Sequence, residues 1–332
     1  MTNTTFDPPS YRNLVRMSKR KHILVEGPAD KRPFRILLAN HYGNADQIDI
    51  DSAEDLIGFS NHGNRERVEE ICNTLAGTPY ERKIVGLVDR ERREFDIEST
   101  LSDRLGRHFQ RGGLVWTRGH SIENYTFDHN VIVEALTSLC PSDFAHKAAI
   151  RFTCVLSDAI RLSCAVSMAS QSALDAGLLT HLAALKNAIT HDTLVVNDHH
   201  VAINEDALKV KLEQLLNVDE SKSGLLLAAI KRYSDITSAA QLDASRWACH
   251  GHIGFGILWS VYAACLQRVC SDAGHDDPTK EAKRAFTNCE KTRWNTCCEV
   301  WIRRVADGQA EFPLQVLAWI GLDTPVPPHR AT

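Results

Sequence analysis

The chain of 332 residues is long for a single hydrophobic core, and its length alone suggests about two domains. With 43% hydrophobic and 24% charged residues it has a soluble, globular composition, which excludes disordered, collagen-like and membrane-spanning classes. A net charge of −4 excludes a uniformly basic nucleic-acid coat but leaves room for a local groove of Arg and Lys.

Residues 1–19, with Pro8-Pro9, read as a tail. Ile23-Leu24-Val25 is a short apolar run bounded by turn residues, so 21–26 reads as a buried strand. Residues 30–41 carry Phe34, Ile36, Leu37 and Leu38 in a helical pattern whose first turn accommodates Pro33. Residues 46–51 are a weak strand. A turn at Asn61, Gly63, Asn64 and Arg65 leads into a helix with Val68, Ile71, Cys72 and Leu75, stopped by Gly77 and Pro79. A strand at 83–88, a helix through Leu101 and Leu105, and a strand at 113–116 complete an alternating pattern. That pattern predicts an α/β fold with a small, mostly parallel sheet flanked by helices.

After about residue 128 strand signals fade apart from Leu194-Val195-Val196, and the rest, 129–323, reads as a mainly helical region. Ile132, Ala135, Leu136 and Leu139 keep helical spacing, as do Leu208, Leu212, Leu215 and Leu216; further helices are expected over 246–270 and 280–305. Residues 324–332, with Pro325 to Pro328, read as a second tail. The Trp residues of this half, such as Trp247, Trp259 and Trp301, suit a core, with a dimer interface, a docking surface or a substrate groove as alternatives.

The ten cysteines are scattered, form no C-x-x-C pair and follow no signal peptide, so free thiols in a cytoplasmic protein are expected. His250-Gly251-His252 opens an apolar helical pattern with no acid or Cys at ligand spacing, which points to packing or substrate contact before metal binding.

The chemistry-bearing feature is a pair of acidic clusters, Glu26-Gly27-Pro28-Ala29-Asp30 and Asp89-Arg90-Glu91, each placed where an apolar strand stops. In open α/β sheets ligands gather just beyond the carboxyl ends of strands. Carboxylates converging there repel one another by several kcal/mol unless a divalent cation neutralises them. Mg²⁺, with Mn²⁺ as a substitute, prefers hard oxygen ligands and keeps several waters, so two or three acids and a substrate phosphate suffice. Glu26, Asp89, Glu91 and Asp30 are therefore candidate metal ligands, and Glu26 is also a candidate general base through a bound water. Gly27 allows close backbone approach to a phosphate. Arg90, and Arg118 and His120 further on, are candidates to contact the scissile phosphate or donate a proton. The turn ending at Arg65 is a candidate phosphate contact at a helix start.

Each residue also has a bland reading. Acids after strands commonly serve as helix caps and dipole partners, and Asp30 in particular suits the first turn of the following helix.

Three motifs in order carry a family resemblance: a strand ending in Glu26-Gly27, a strand ending in Asp89-Arg90-Glu91, and Gly119-His120-Ser121-Ile122-Glu123-Asn124-Tyr125. Over 20–128 the chain resembles the TOPRIM superfamily, and within it the divergent branch encoded beside ABC-type ATPases in antiphage defence. It is similar there to the AriB-like effectors of PARIS systems and, more distantly, to OLD nucleases. The resemblance implies a TOPRIM-like catalytic domain over 20–128, Glu123 as a further catalytic acid and metal ligand, and a helical domain serving a partner, a dimer or a substrate. It implies a toxin-like, Mg²⁺-dependent endonuclease that cleaves tRNA under control of an ABC-type ATPase and is homodimeric when active. An OLD-like DNA nuclease and a non-catalytic regulatory subunit are the alternatives. Glu91 stands where the superfamily has Asp.

Overall fold

The computed structural model of the protein describes residues 6–42, 45–58 and 63–322. In chain order the first elements are α1 (Pro8–Met17), β1 (Lys21–Val25), α2 (Lys31–His41), β2 (Ile48–Ser52), α3 (Asn64–Leu75) and β3 (Ile84–Val88). Four short strands follow, β4 (Phe95–Ile97), β5 (Leu101–Asp103), β6 (Gln110–Arg111) and β7 (Leu114–Trp116). Next come α4 (His129–Leu139), α5 (Ala145–Asp175), α6 (Ala184–Ala188), the hairpin β8 (Leu194–Val196) and β9 (Val201–Ile203), α7 (Glu205–Leu216), α8 (Glu220–Ala239) and α9 (Leu242–Ala248). The last are α10 (Gly251–Asp272), α11 (Pro278–Arg284), α12 (Glu290–Ala306) and α13 (Leu314–Trp319). The α/β class with a helical C-terminal region is therefore as expected.

The chain divides into two compact units that interleave along the sequence. The first comprises Met1–Arg90, Leu105–Ile122 and Cys298–Thr332; the second comprises Glu91–Arg104 and Glu123–Cys297. This replaces the expected contiguous division into 20–128 and 129–323.

The first unit holds a five-stranded sheet in the order β2-β1-β3-β7-β6, parallel throughout except for the edge pair β6–β7. β1 and β3 are central, and all five residues of β3 are buried, which is why their sequences read as unbroken apolar runs. Gly86 in β3 is a packing requirement: a Cβ there would lie 2.5 Å from Val68 Cγ1 and 2.7 Å from Cys72 Sγ, so α3 seats closely on the strand only over glycine. Burial pushes the Cys72 thiol up to about 12, consistent with a packing role.

Two expectations need correction here. Residues 8–17 are a helix, capped by the Asp7 side chain on the Ser10 N–H, with Tyr11 and Val15 buried; only part of 1–19 lies outside the described residues. The Tyr11 hydroxyl donates to Asp51 Oδ2 at 2.7 Å, and His22 Nδ1 lies 2.8 Å from the same oxygen, which fastens α1 to the sheet. Burial, then the Asp51 charge, raise the Tyr11 hydroxyl well above its ordinary value. Second, residues 298–322 also build this unit. Phe34 packs edge-on against Phe312 at 5.1 Å, and Trp319 Nε1 donates to the Glu81 and Ile84 carbonyls while the Arg82 guanidinium sits 3.7 Å over its ring. The tail expected at 324–332 lies outside the described residues.

In the second unit α5 and α10 are long apolar helices, and α8 is a long amphipathic one that buries Leu226, Ile230 and Ile236. α5 and α10 are long and apolar enough to cross a membrane by length and composition, yet 72% and 83% of their most apolar windows are buried inside the protein, as in core helices. The helix expected through Leu101 and Leu105 is instead the antiparallel hairpin β4–β5, pairing Phe95 with Asp103 and Ile97 with Leu101. Its alternation of Phe95, Ile97 and buried Leu101 has a period of two, and Arg104 ties back to Asp96 at 3.0 Å. The span 246–270 is broken at Cys249-His250 between α9 and α10, and 280–305 is broken between α11 and α12. Trp247, Trp259 and Trp301 are fully buried core residues. None of the ten cysteines forms a disulfide, and eight of them are buried.

Candidate functional site

β1 and β3 are parallel neighbours, with Val25 opposite Leu87, so the residues that follow them emerge at the same sheet edge. Glu26 and Asp89 are those residues, both partly buried. The Glu26 Oε1 atom accepts the Asp89 backbone N–H at 2.7 Å. A carboxylate carries lone pairs on both oxygens, so one accepted N–H does not exhaust Glu26 as a ligand. Ser52, at the end of β2 and opposite Val25, donates its hydroxyl to the Glu26 carbonyl at 3.3 Å.

Asp30 has a local task. Its Oδ2 accepts the Gly27 N–H at 2.9 Å and closes the turn between β1 and α2, and it makes no side-chain cap on the first turn of α2. Gly27 is not in the left-handed region, and a Cβ there would meet Asp30 Oδ2 at an ordinary 3.5 Å.

Arg90 is fully buried, so the expected phosphate contact gives way to a bracing role: its N–H meets Thr117 Oγ1 at 2.9 Å and its Nη1 donates to the Arg118 carbonyl at 2.8 Å. Thr117, one residue past β7, passes the link on by donating to the Gly119 carbonyl at 2.7 Å, while its own N–H meets the Val88 carbonyl. Sequence reasoning missed Thr117 and Ser52. The signal was present, since each is a polar residue at the end of a strand, as Glu26 and Asp89 are.

Arg118 is ion-paired with Glu311, and His120 is partly buried three residues after Thr117. Burial pushes the nearby His108 imidazole down to about 4, with Glu311 pulling it up and Arg118 pushing it further down. Arg65 is committed to Glu66 at 2.7 Å and lies 3.8 Å from Glu69, so as placed it braces the start of α3; the preceding Asn61-His62 lies outside the described residues.

Glu91 and Glu123 belong to the second unit. Glu91 has φ of 54°, a left-handed conformation rare for a residue with a side chain, and Glu94 follows with φ of 61°. Glu123 sits in a short 3-10 turn, Ile122–Thr126, and is only 7% exposed. Its Oε1 lies 3.4 Å from Nε2 of the exposed His252, an acid partner for the histidine pair that sequence spacing did not reveal. Burial lowers His250 to about 4, opposed by the Glu123 charge and reinforced by His252 and Arg92. Asn124 donates to the Arg246 and Cys249 carbonyls and so pins the start of α10.

Among the described residues no group of three or more His, Cys, Asp and Glu side chains is arranged to hold a metal ion. Within the first unit Glu26 and Asp89 are brought together as a pair. Compared with known proteins, the chain matches no family model and no curated protein.

Proposed function

We propose that the chain is a Mg²⁺-dependent endonuclease of the TOPRIM type, a cytoplasmic, toxin-like effector that cleaves tRNA under restraint by an ABC-type ATPase. The observation that supports this reading is the juxtaposition of Glu26 and Asp89 beyond the carboxyl ends of adjacent parallel strands, linked at 2.7 Å. Two partly buried carboxylates fit Mg²⁺, which takes one or two protein acids together with waters and substrate phosphate. When bound there, the ion neutralises phosphate charge and activates a water. Glu26 and Asp89 hold it; the Asp89 N–H fixes the Glu26 carboxylate, and the Arg90–Thr117 brace fixes the segment after β3. Glu91 and Glu123 enter as ligands through the resemblance alone.

A structural role is the competing reading. Asp89 N–H on Glu26 and Gly27 N–H on Asp30 would tie the strand ends together without any cation, in a regulatory subunit.

The test incubates purified chain with tRNA and, separately, supercoiled plasmid, in Mg²⁺ and in EDTA. Cleaved tRNA that requires Mg²⁺ and Asp89 supports the proposal; nicked plasmid with intact tRNA moves the protein to the DNA-cutting alternative, and no cleavage of either favours the structural reading. Expression with and without the neighbouring ATPase, followed by phage challenge and sequencing of RNA ends, tests the restraint. Release requires the partner to favour the inactive arrangement until the trigger reverses that preference.

A further inference from the structure

The second unit contains a cleft of about 240 Å³, room for about eight waters. Arg161 on α5, Val201 on β9, and Leu227, Ile230, Lys231 and Ser234 on α8 contribute to its walls. The α8 residues follow helical spacing and so present one face, apolar at Leu227 and Ile230 and polar at Lys231 and Ser234.

Two cations, Arg161 and Lys231, line the cleft. The Arg161 Nε is shut off from solvent and has no hydrogen-bond partner, and neither Arg161 nor Lys231 forms an ion pair among the described residues. Elsewhere in the same unit Arg151 pairs with Asp198 and Asp272, and Arg246 with Asp128. Asp158, one turn before Arg161, is the natural partner, but its carboxylate goes to His200 Nδ1 at 2.5 Å. Glu205, also on the rim, sits in the first turn of α7, where the helix dipole favours a negative charge. A guanidinium with no carboxylate partner that lines a cavity beside a second cation suits an anion.

We propose that this cleft binds a small phosphate monoester with a compact apolar body. Arg161 grips two phosphate oxygens, Lys231 and the Ser234 hydroxyl serve the third, and Val201, Leu227 and Ile230 take the body. A phosphate suits two cations and a hydroxyl better than a carboxylate does, because it carries more charge and a third acceptor oxygen.

The test titrates the full chain with phenyl phosphate, inorganic phosphate and benzoate by calorimetry. Phenyl phosphate is expected to bind roughly tenfold or more tighter than the other two, since it alone combines the charge with the apolar body. Arg161→Gln and Lys231→Gln each weaken it by about tenfold or more. Ser234→Glu, a change on a partly exposed helical face, abolishes binding while circular dichroism stays parental. Absence of phenyl phosphate binding at millimolar concentration, equal affinity for benzoate, or unchanged affinity in folded Ser234→Glu protein overturns the proposal. If Arg161→Gln fails to fold, Ser234→Glu and Lys231→Gln decide.

Discussion

Glu26 holds the backbone N–H of Asp89 through its carboxylate at 2.7 Å, so the extensions of two neighbouring parallel strands are latched to each other by a side chain. The two acids are consequently not equivalent to mutation. Asp89→Asn keeps the backbone donor and is expected to change stability by less than about 0.5 kcal/mol while lowering cleavage roughly a hundredfold or more. Glu26→Ala removes the acceptor and costs about 1–2 kcal/mol besides activity, whereas Glu26→Gln keeps an acceptor oxygen and recovers most of that stability. Parallel melting curves and cleavage rates check this. Parental activity in Asp89→Asn sinks the metal-site reading.

Metal dependence has a readout that does not need turnover. Mg²⁺ bound by the folded protein should raise the melting temperature as its concentration rises, and Asp89→Asn should blunt that rise. EDTA should stop cleavage and added Mg²⁺ or Mn²⁺ restore it. Cleavage by rigorously metal-free protein contradicts the proposed chemistry.

At Glu91 the backbone and the carboxylate can be separated. With φ at 54°, Glu91→Gly relieves a strained conformation and is expected to stabilise the fold by about 1 kcal/mol. Glu91→Asp should retain most of the cleavage rate and Glu91→Gly little of it. A glycine variant that is both more stable and fully active would make Glu91 a turn residue only.

His108 gives the fold an acid limit. Burial is the main cause of its fall from 6.5 to about 4, so the unfolded chain takes up a proton near pH 6.5 while the folded chain resists until about pH 4. The stability it contributes is complete above pH 6.5 and is lost as pH falls through that window, by a total on the order of 3 kcal/mol. Denaturant unfolding at pH 7.5 and 4.5 should show the loss, and His108→Gln should reduce it. An equal loss in the variant removes His108 as the cause.

The N-terminal helix should matter as much as a core element. Tyr11→Phe leaves Asp51 with one donor fewer and is expected to cost about 1 kcal/mol, and deleting residues 1–17 considerably more. Unchanged melting in the deletion would return this segment to the status of a tail.

What could be read from sequence was what depends on neighbours along the chain. The strand at Ile23-Leu24-Val25 and the acid that ends it are one local pattern, and so are Ile84–Val88 and Asp89. The hairpin at 95–103 was misread because Leu101 and Leu105 are four apart, and that spacing hid the two-residue alternation of Phe95 and Ile97. Arg90 looked like a substrate contact because its burial is set by Thr117 and the Arg118 carbonyl, which lie almost thirty residues away. The pairing of Glu123 with His252 and the return of Phe312 to Phe34 are likewise contacts between distant segments, which no local window contains.

That return has a consequence for biosynthesis. Phe312 and Trp319 complete the packing around α2 and β3, so the unit carrying Glu26 and Asp89 cannot close while those residues are still inside the ribosome. β1 and β3 emerge more than two hundred residues earlier, and throughout that interval their sheet lacks one of its covers. The first unit therefore reaches its finished packing only after the segment carrying Phe312 and Trp319 has left the ribosome.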